Sequence, residues 1–151
     1  MELLSVGEVS PLWSLRGIAI TEIDRFQTSG LWSLAPVGAD GVAYTRDAGS
    51  AVMIREHGHE RPFTQNLVEP GALATSGNLL YCLSRSKLRL YRISPTGMDE
   101  APLLNAAGNA LLEASRAPDG FQTTAAGTLL ITSGASIVEI EPTKLRWIRP
   151  A

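Results

Sequence analysis

The feature that most constrains this chain is a thrice-repeated pattern: a short apolar run, a tight polar turn, and a second short apolar run. The first copy spans Gly41 to Arg55, with Val42-Ala43-Tyr44-Thr45 and Ala51-Val52-Met53-Ile54 on either side of Asp47-Ala48-Gly49-Ser50. The second spans Asn78 to Ile93 around Ser84-Arg85-Ser86, and the third spans Thr128 to Glu141 around Ser133-Gly134-Ala135. Runs this short, rich in β-branched and aromatic residues and bounded by Gly, Ser and Asp, read as strands joined by turns. The second run of each unit tends to alternate. Leu88 and Leu90 oppose Lys87 and Arg89, while Val138 and Ile140 oppose Glu139 and Glu141. Period two sends the two sets to opposite faces of a sheet.

Flanking segments extend each unit. A shorter extended stretch precedes it: Leu31–Leu34, Ala72–Thr75 and Phe121–Thr124. A fourth strand is expected to close it: Pro62–Val68, Ala101–Leu104 and Lys144–Ile148. Leu12–Leu15, Arg16-Gly17 and Ile18–Ile20 read as a degenerate further unit. Only Asn105–Arg116 has the Ala, Leu and Glu content for a short helix, and Gly108 interrupts it. The sequence therefore predicts one all-β domain over residues 1–151, built from antiparallel hairpin repeats.

The stretch Gly127–Thr132, with Ile137–Ile140 following and Lys144–Trp147 closing, is similar to the quinoprotein (PQQ-like) β-propeller repeat. Gly77–Cys82, running on to Pro95-Thr96-Gly97, resembles the same unit. The resemblance implies blades of four antiparallel strands, with Trp147 closing the last. A blade needs about 40 residues and a ring roughly four to eight blades. The 151 residues supply three to four small blades, and three do not close a ring. A β-sandwich or barrel is the alternative. An open row of sheets leaves edges that template pairing with another chain. The expectation is thus a homo-oligomer or a protein partner, with the chain a subunit of a larger assembly such as a virion.

Charge and hydropathy narrow the function classes. A formal net charge of −2, mixed along the chain, offers no electrostatic footprint for a phosphate backbone or an anionic membrane. No apolar run approaches the roughly 20 residues that span a bilayer. The first residues, Met1–Val6, lack the basic and apolar regions of a signal peptide. A cytoplasmic or virion location is expected, without nucleic-acid or membrane partners.

The strongest chemical candidate is Glu56-His57-Gly58-His59-Glu60. On an extended strand, His57 and His59 would share one side and reach a common metal, with Glu56 or Glu60 as oxygen ligands or ring orienters. No third histidine exists, and a polar inter-strand loop is the simpler reading. Asp99-Glu100, Glu139/Glu141 and Glu22/Asp24 pair carboxylates in ways compatible with acid–base work, but a solvated hairpin face explains them more simply. No nucleophile elbow, P-loop or dinucleotide fingerprint occurs. Trp13 and Trp32 sit in matching Leu-Trp-Ser-Leu contexts. With Trp147, they suit packing between repeats or stacking on a sugar. Arg85, Lys87, Arg89 and Arg92 form a basic hairpin, and Cys82, the sole cysteine, sits in an apolar run as a small core residue. The expectation is a non-enzymatic structural or interaction module, without assigned catalytic, cofactor-binding or metal residues. A small-molecule or glycan-binding propeller and a metal-dependent enzyme are the alternatives, a quinone-dependent enzyme being the form the resemblance itself implies.

Overall fold

The structure is a computed structural model and describes residues 9–16, 19–27, 30–46, 49–114 and 120–150, with backbone alone before residue 30. It is all-β and antiparallel throughout. A two-stranded hairpin, β1 (Val9–Arg16) and β2 (Ala19–Gln27), comes first. Two four-stranded meanders come next. Sheet one holds β3 (Leu31–Val37), β4 (Gly41–Arg46), β5 (Val52–Glu56) and β6 (His59–Thr64). Sheet two holds β7 (Pro70–Ser76), β8 (Leu79–Ser84), β9 (Arg89–Ser94) and β10 (Gly97–Pro102). Sheet three has only three strands: β11 (Phe121–Thr123), β12 (Leu129–Ser133) and β13 (Ser136–Ile140).

The three larger sheets stand in a row, in contact through their first strands, β3 against β7 and β7 against β11. The described residues thus form consecutive antiparallel meanders packed sheet against sheet, with no closed barrel among them. Sheet two lies in the middle, so both its faces are buried. Leu80, Cys82, Tyr91 and Ile93 pack toward sheet one, against Ala35, Ala43 and Val52. Tyr81, Leu83 and Leu90 pack toward sheet three, against Leu129, Ile131 and Ile140. Burial on both faces explains why Leu79–Leu83 is continuously apolar, whereas β13 alternates. Each such aliphatic side chain contributes about 1.5–3 kcal/mol of transfer free energy.

Hydrogen bonds stitch the sheets at β7, whose register shifts between Pro70 and Leu73. The Thr45 hydroxyl donates to the Gly71 carbonyl at 2.7 Å, and the Leu73 N–H donates to Ser33 Oγ at 3.0 Å. From the other side, the Thr123 hydroxyl donates to the Thr75 carbonyl at 2.6 Å. Gly71 permits the close approach of β7 to β8 within sheet two, since a Cβ there would sit 2.8 Å from the Leu83 carbonyl oxygen. Between sheets one and two, the Tyr91 hydroxyl accepts the Val68 N–H at 2.9 Å.

Three expectations are corrected. Residues 105–114 form no helix. Asn105 Oδ1 accepts the N–H groups of Ala107 and Asn109, and Gly108 turns at φ 81°. Asparagine thereby diverts the donors a helix would use. The remainder of the expected helix, residues 115–116, lies outside the described residues. Second, Lys144–Ile148 does not close sheet three. Pro142–Lys144 forms a 3-10 turn, and the chain then crosses to sheet two. There Ile148 pairs with Glu100 through two backbone hydrogen bonds of 2.8 Å. Third, Lys87 does not start the alternating strand opposite Leu88. It lies buried in the β8–β9 turn at φ 61°, and β9 begins at Arg89.

Candidate functional site

Hairpin geometry fixes which backbone groups each outer strand offers to its surroundings. A two-residue loop is flanked by a pair that exchanges both hydrogen bonds, and the pattern then alternates. In sheet three the loop is Gly134-Ala135, flanked by Ser133 and Ser136, with Ile131 opposite Val138 and Leu129 opposite Ile140. Ser136, Val138 and Ile140 therefore spend their backbone groups on β12. Ile137 and Glu139 point theirs outward. The Thr132 N–H agrees, since it leaves β13 and donates to the Gly120 carbonyl on the far side.

The outer edges of the other two sheets are blunted. On β6 the same counting, from the Glu56–His59 pair, puts Glu60 and Pro62 at the outward positions. Pro62 has no N–H to offer, and Pro on an outward-facing edge position is a recognised guard against pairing. On β10 the outward positions are Met98, Glu100 and Pro102. Glu100 is occupied by Ile148, and Pro102 again lacks a donor. Among these three outer edges, only β13 presents consecutive outward residues whose donors and acceptors find no partner among the described residues. Its side chains match: Ile137 is 74% exposed, and Glu139 is exposed with its carboxylate drawn back over β12 by the Thr128 hydroxyl at 2.7 Å.

The tail that abandons sheet three is held on sheet two by a compact polar cluster. Tyr81, Arg92 and Asp99 lie in one row across β8, β9 and β10. The Trp147 ring packs 4.2 Å from the Arg92 guanidinium and 6.4 Å from the Tyr81 ring, and its indole N–H donates to the Pro142 carbonyl. Asp99 accepts from Arg92 and from Arg149, each at 2.9 Å. Those two guanidinium groups, Arg149 foremost, hold its carboxyl below the usual carboxylate range.

A cleft of about 240 Å³ opens between sheets one and two. Ile54, Leu80 and Phe63 form its apolar lining, with Glu56 and Arg61 as its charged groups. The Arg61 guanidinium lies 5.9 Å from the Phe63 ring centroid.

The chemical candidates read from sequence do not converge. His57 and Gly58 are the two loop residues of the β5–β6 hairpin, at φ 50° and 77°. His57 thus occupies a type I′ turn, and His59 is the first residue of β6. The extended-strand geometry that would face both rings to one side is absent. Among the described residues no group of three His, Cys, Asp or Glu side chains gathers. Asp99 is paired with Arg92 and Arg149, and Glu100 accepts from Arg89 at 2.9 Å. Glu139 is bound to Thr128, and Glu141 pairs with Lys144. The basic hairpin is dispersed in the same way: Arg89 and Arg92 meet carboxylates, Lys87 is buried, and Arg85 stacks over Trp32. Trp32 and Trp147 stand apart, on β3 and on the tail, and neither lines the cleft. The side chains of Trp13, Glu22 and Asp24 lie outside the described residues. Cys82 is fully buried, which pushes its thiol up to about 12.

No family model matches the chain, and no curated protein does.

Sequence reasoning did not single out the edge at Ile137 and Glu139, or Pro62 and Ile148 as guards of its neighbours. The signal was present in part: Ser136–Ile140 alternates cleanly and contains no proline. That Ile148 would leave sheet three for sheet two had no local signal beyond Pro142.

Proposed function

We propose that this chain is a non-enzymatic structural or protein–protein interaction module, a subunit of a larger assembly, which engages its partner by strand addition at β13. The observation that carries this reading is the contrast between edges. Pro62 and the Ile148 pairing blunt β6 and β10, while Ile137 and Glu139 offer a full set of backbone groups. Strand addition draws affinity from main-chain hydrogen bonds and specificity from alternate side chains. The paired carboxylates, and histidines set at a turn and a strand start, fit a fold whose polar side chains serve its own surface.

The test is selection of displayed peptides on immobilised protein, run in parallel on Glu139→Pro. That substitution removes one outward N–H which the chain's own sheet does not use. Enrichment of extended, alternating peptides on the native protein and its loss on the variant is the expected result. Equal enrichment on both, or none on either, would overturn the reading.

A second reading rests on the cleft between sheets one and two, whose apolar lining and charged Glu56 and Arg61 suit a small amphiphilic ligand. Titration of a glycan and metabolite panel, followed by amide shifts of Phe63 and Leu80, tests it. A flat response across the panel removes it.

A further inference from the structure

We infer that the occupant of the β13 edge is β13 of a second copy of this chain, paired antiparallel about a two-fold axis through Val138. This rests on the reading of β13 as a docking edge and names its partner. The register is dictated by the groups left over. Ile137 and Glu139 point outward, so a second antiparallel strand must meet them at positions that exchange both hydrogen bonds. Placing Ile137 opposite Glu139 of the other copy satisfies this at both ends of the contact with one operator. Four backbone hydrogen bonds form, and residue i meets j while j meets i, as a two-fold interface requires.

The side chains are self-complementary in that register. Val138 meets its own copy at the close, non-hydrogen-bonded position. It is half-buried and packs on the Leu129–Ile131 side of the sheet, so the pairing extends an existing core. On the other face, exposed Ile137 lies beside the aliphatic stem of the facing Glu139, covering surface that is 74% exposed in the single chain. The two Glu139 carboxylates are diagonal neighbours only, and each is drawn toward its own Thr128, away from the seam. No like charges face each other directly. A slip of one residue would set outward groups against groups already used by β12, and a slip of two would bring the turn residue Ala135 or a second Glu139 opposite Glu139, which disfavours both.

A contact of this size belongs to the weak class of interfaces, with a dissociation midpoint between roughly 10 µM and 1 mM. The experiment is light scattering coupled to size exclusion, from about 1 mM down to micromolar, on the full chain and three variants whose fold is checked by circular dichroism. Glu139→Pro should remain monomeric throughout. Ile137→Glu sets a carboxylate opposite each Glu139 and should weaken the dimer roughly 2- to 30-fold. Ile137→Lys sets opposite charges there and should bind at least as tightly as the native chain. A native chain monomeric at 1 mM overturns the proposal, as does a dimer indifferent to Glu139→Pro or equally weakened by both Ile137 variants. A monomer that still selects strand peptides through the intact edge would remove the self-pairing and leave the docking reading standing. A monomer that selects none would remove both.

Discussion

Ile131 and Ile137 sit on adjacent strands of one hairpin, yet the register sends them to opposite faces. Ile131 has no exposed surface and packs between sheets three and two; Ile137 is 74% exposed and one residue from the turn-flanking Ser136. Truncating each to alanine removes the same atoms from very different surroundings. At Ile131 the loss includes transfer free energy and a cavity that two rigid sheets cannot collapse around, about 3–4 kcal/mol. At Ile137 the change should fall within about 0.5 kcal/mol. With a urea m-value of about 2 kcal/mol/M for a chain of this size, Ile131→Ala should lower the midpoint by roughly 1.5–2 M and Ile137→Ala by less than about 0.3 M. The assay is equilibrium urea unfolding at micromolar concentration, where edge association is absent. Similar losses from both, or a larger loss at Ile137, would mean that β13 is shifted by one residue. The counting that leaves Ile137 and Glu139 outward would then fail with it.

Tyr91→Phe keeps the ring in the core but strips the hydroxyl from the Val68 N–H; because Val68 is partly open to water, the expected cost is about 1 kcal/mol, read by the same urea titration. Asp99 predicts an acid-sensitive tail. Its folded pKa is depressed, so its contribution is complete above the unfolded value of about 4 and is lost as pH falls through the lower folded value. The Trp147 indole N–H resonance should hold steady from pH 7 to about 4.5 and move only below that; a transition near neutrality would contradict the assignment. Cys82 should resist a thiol-specific disulfide reagent at pH 8 in the native state and react at once in urea, and rapid native labelling would show the β7–β8 packing to be wrong.

Strand content was legible because it is local. Val42–Thr45, Leu79–Leu83 and Leu129–Thr132 carry β-formers between turn residues, and the structure places β4, β8 and β12 there. The alternation of Val138 and Ile140 against Glu139 also gave the buried face of β13 correctly, because one residue of period two decides it. The errors came where a single side chain redirected the backbone. Asn105 captured two N–H groups and replaced a helix with a turn. Pro142 ended the strand register, and the path of the tail beyond it is governed by Trp147 finding Arg92 and Tyr81, more than 50 residues earlier in sequence. His57 turned at positive φ beside Gly58, so a spacing that reads as two ligands on one face is a turn residue and a strand residue. The open edge at Ile137 and Glu139 was legible only in part, for a related reason. Whether Ile137 faces water or a fourth strand depends on where the tail goes, and no window around Ile137 contains that information.

The crossing of the tail to sheet two has a consequence for how the molecule is made. Glu100 leaves the ribosome about 50 residues ahead of Ile148, an interval of roughly 2–10 s at ordinary elongation rates. Throughout that interval sheets one and two can complete their shared core, yet the flank of β10 has no cover. The segment around Ile148 emerges well after the element it seals, so the nascent chain passes through a stage with a sticky flank that the Ile148 pairing later covers. Truncations ending near Ile140 should preserve that vulnerable stage and form inclusion bodies where the full chain does not.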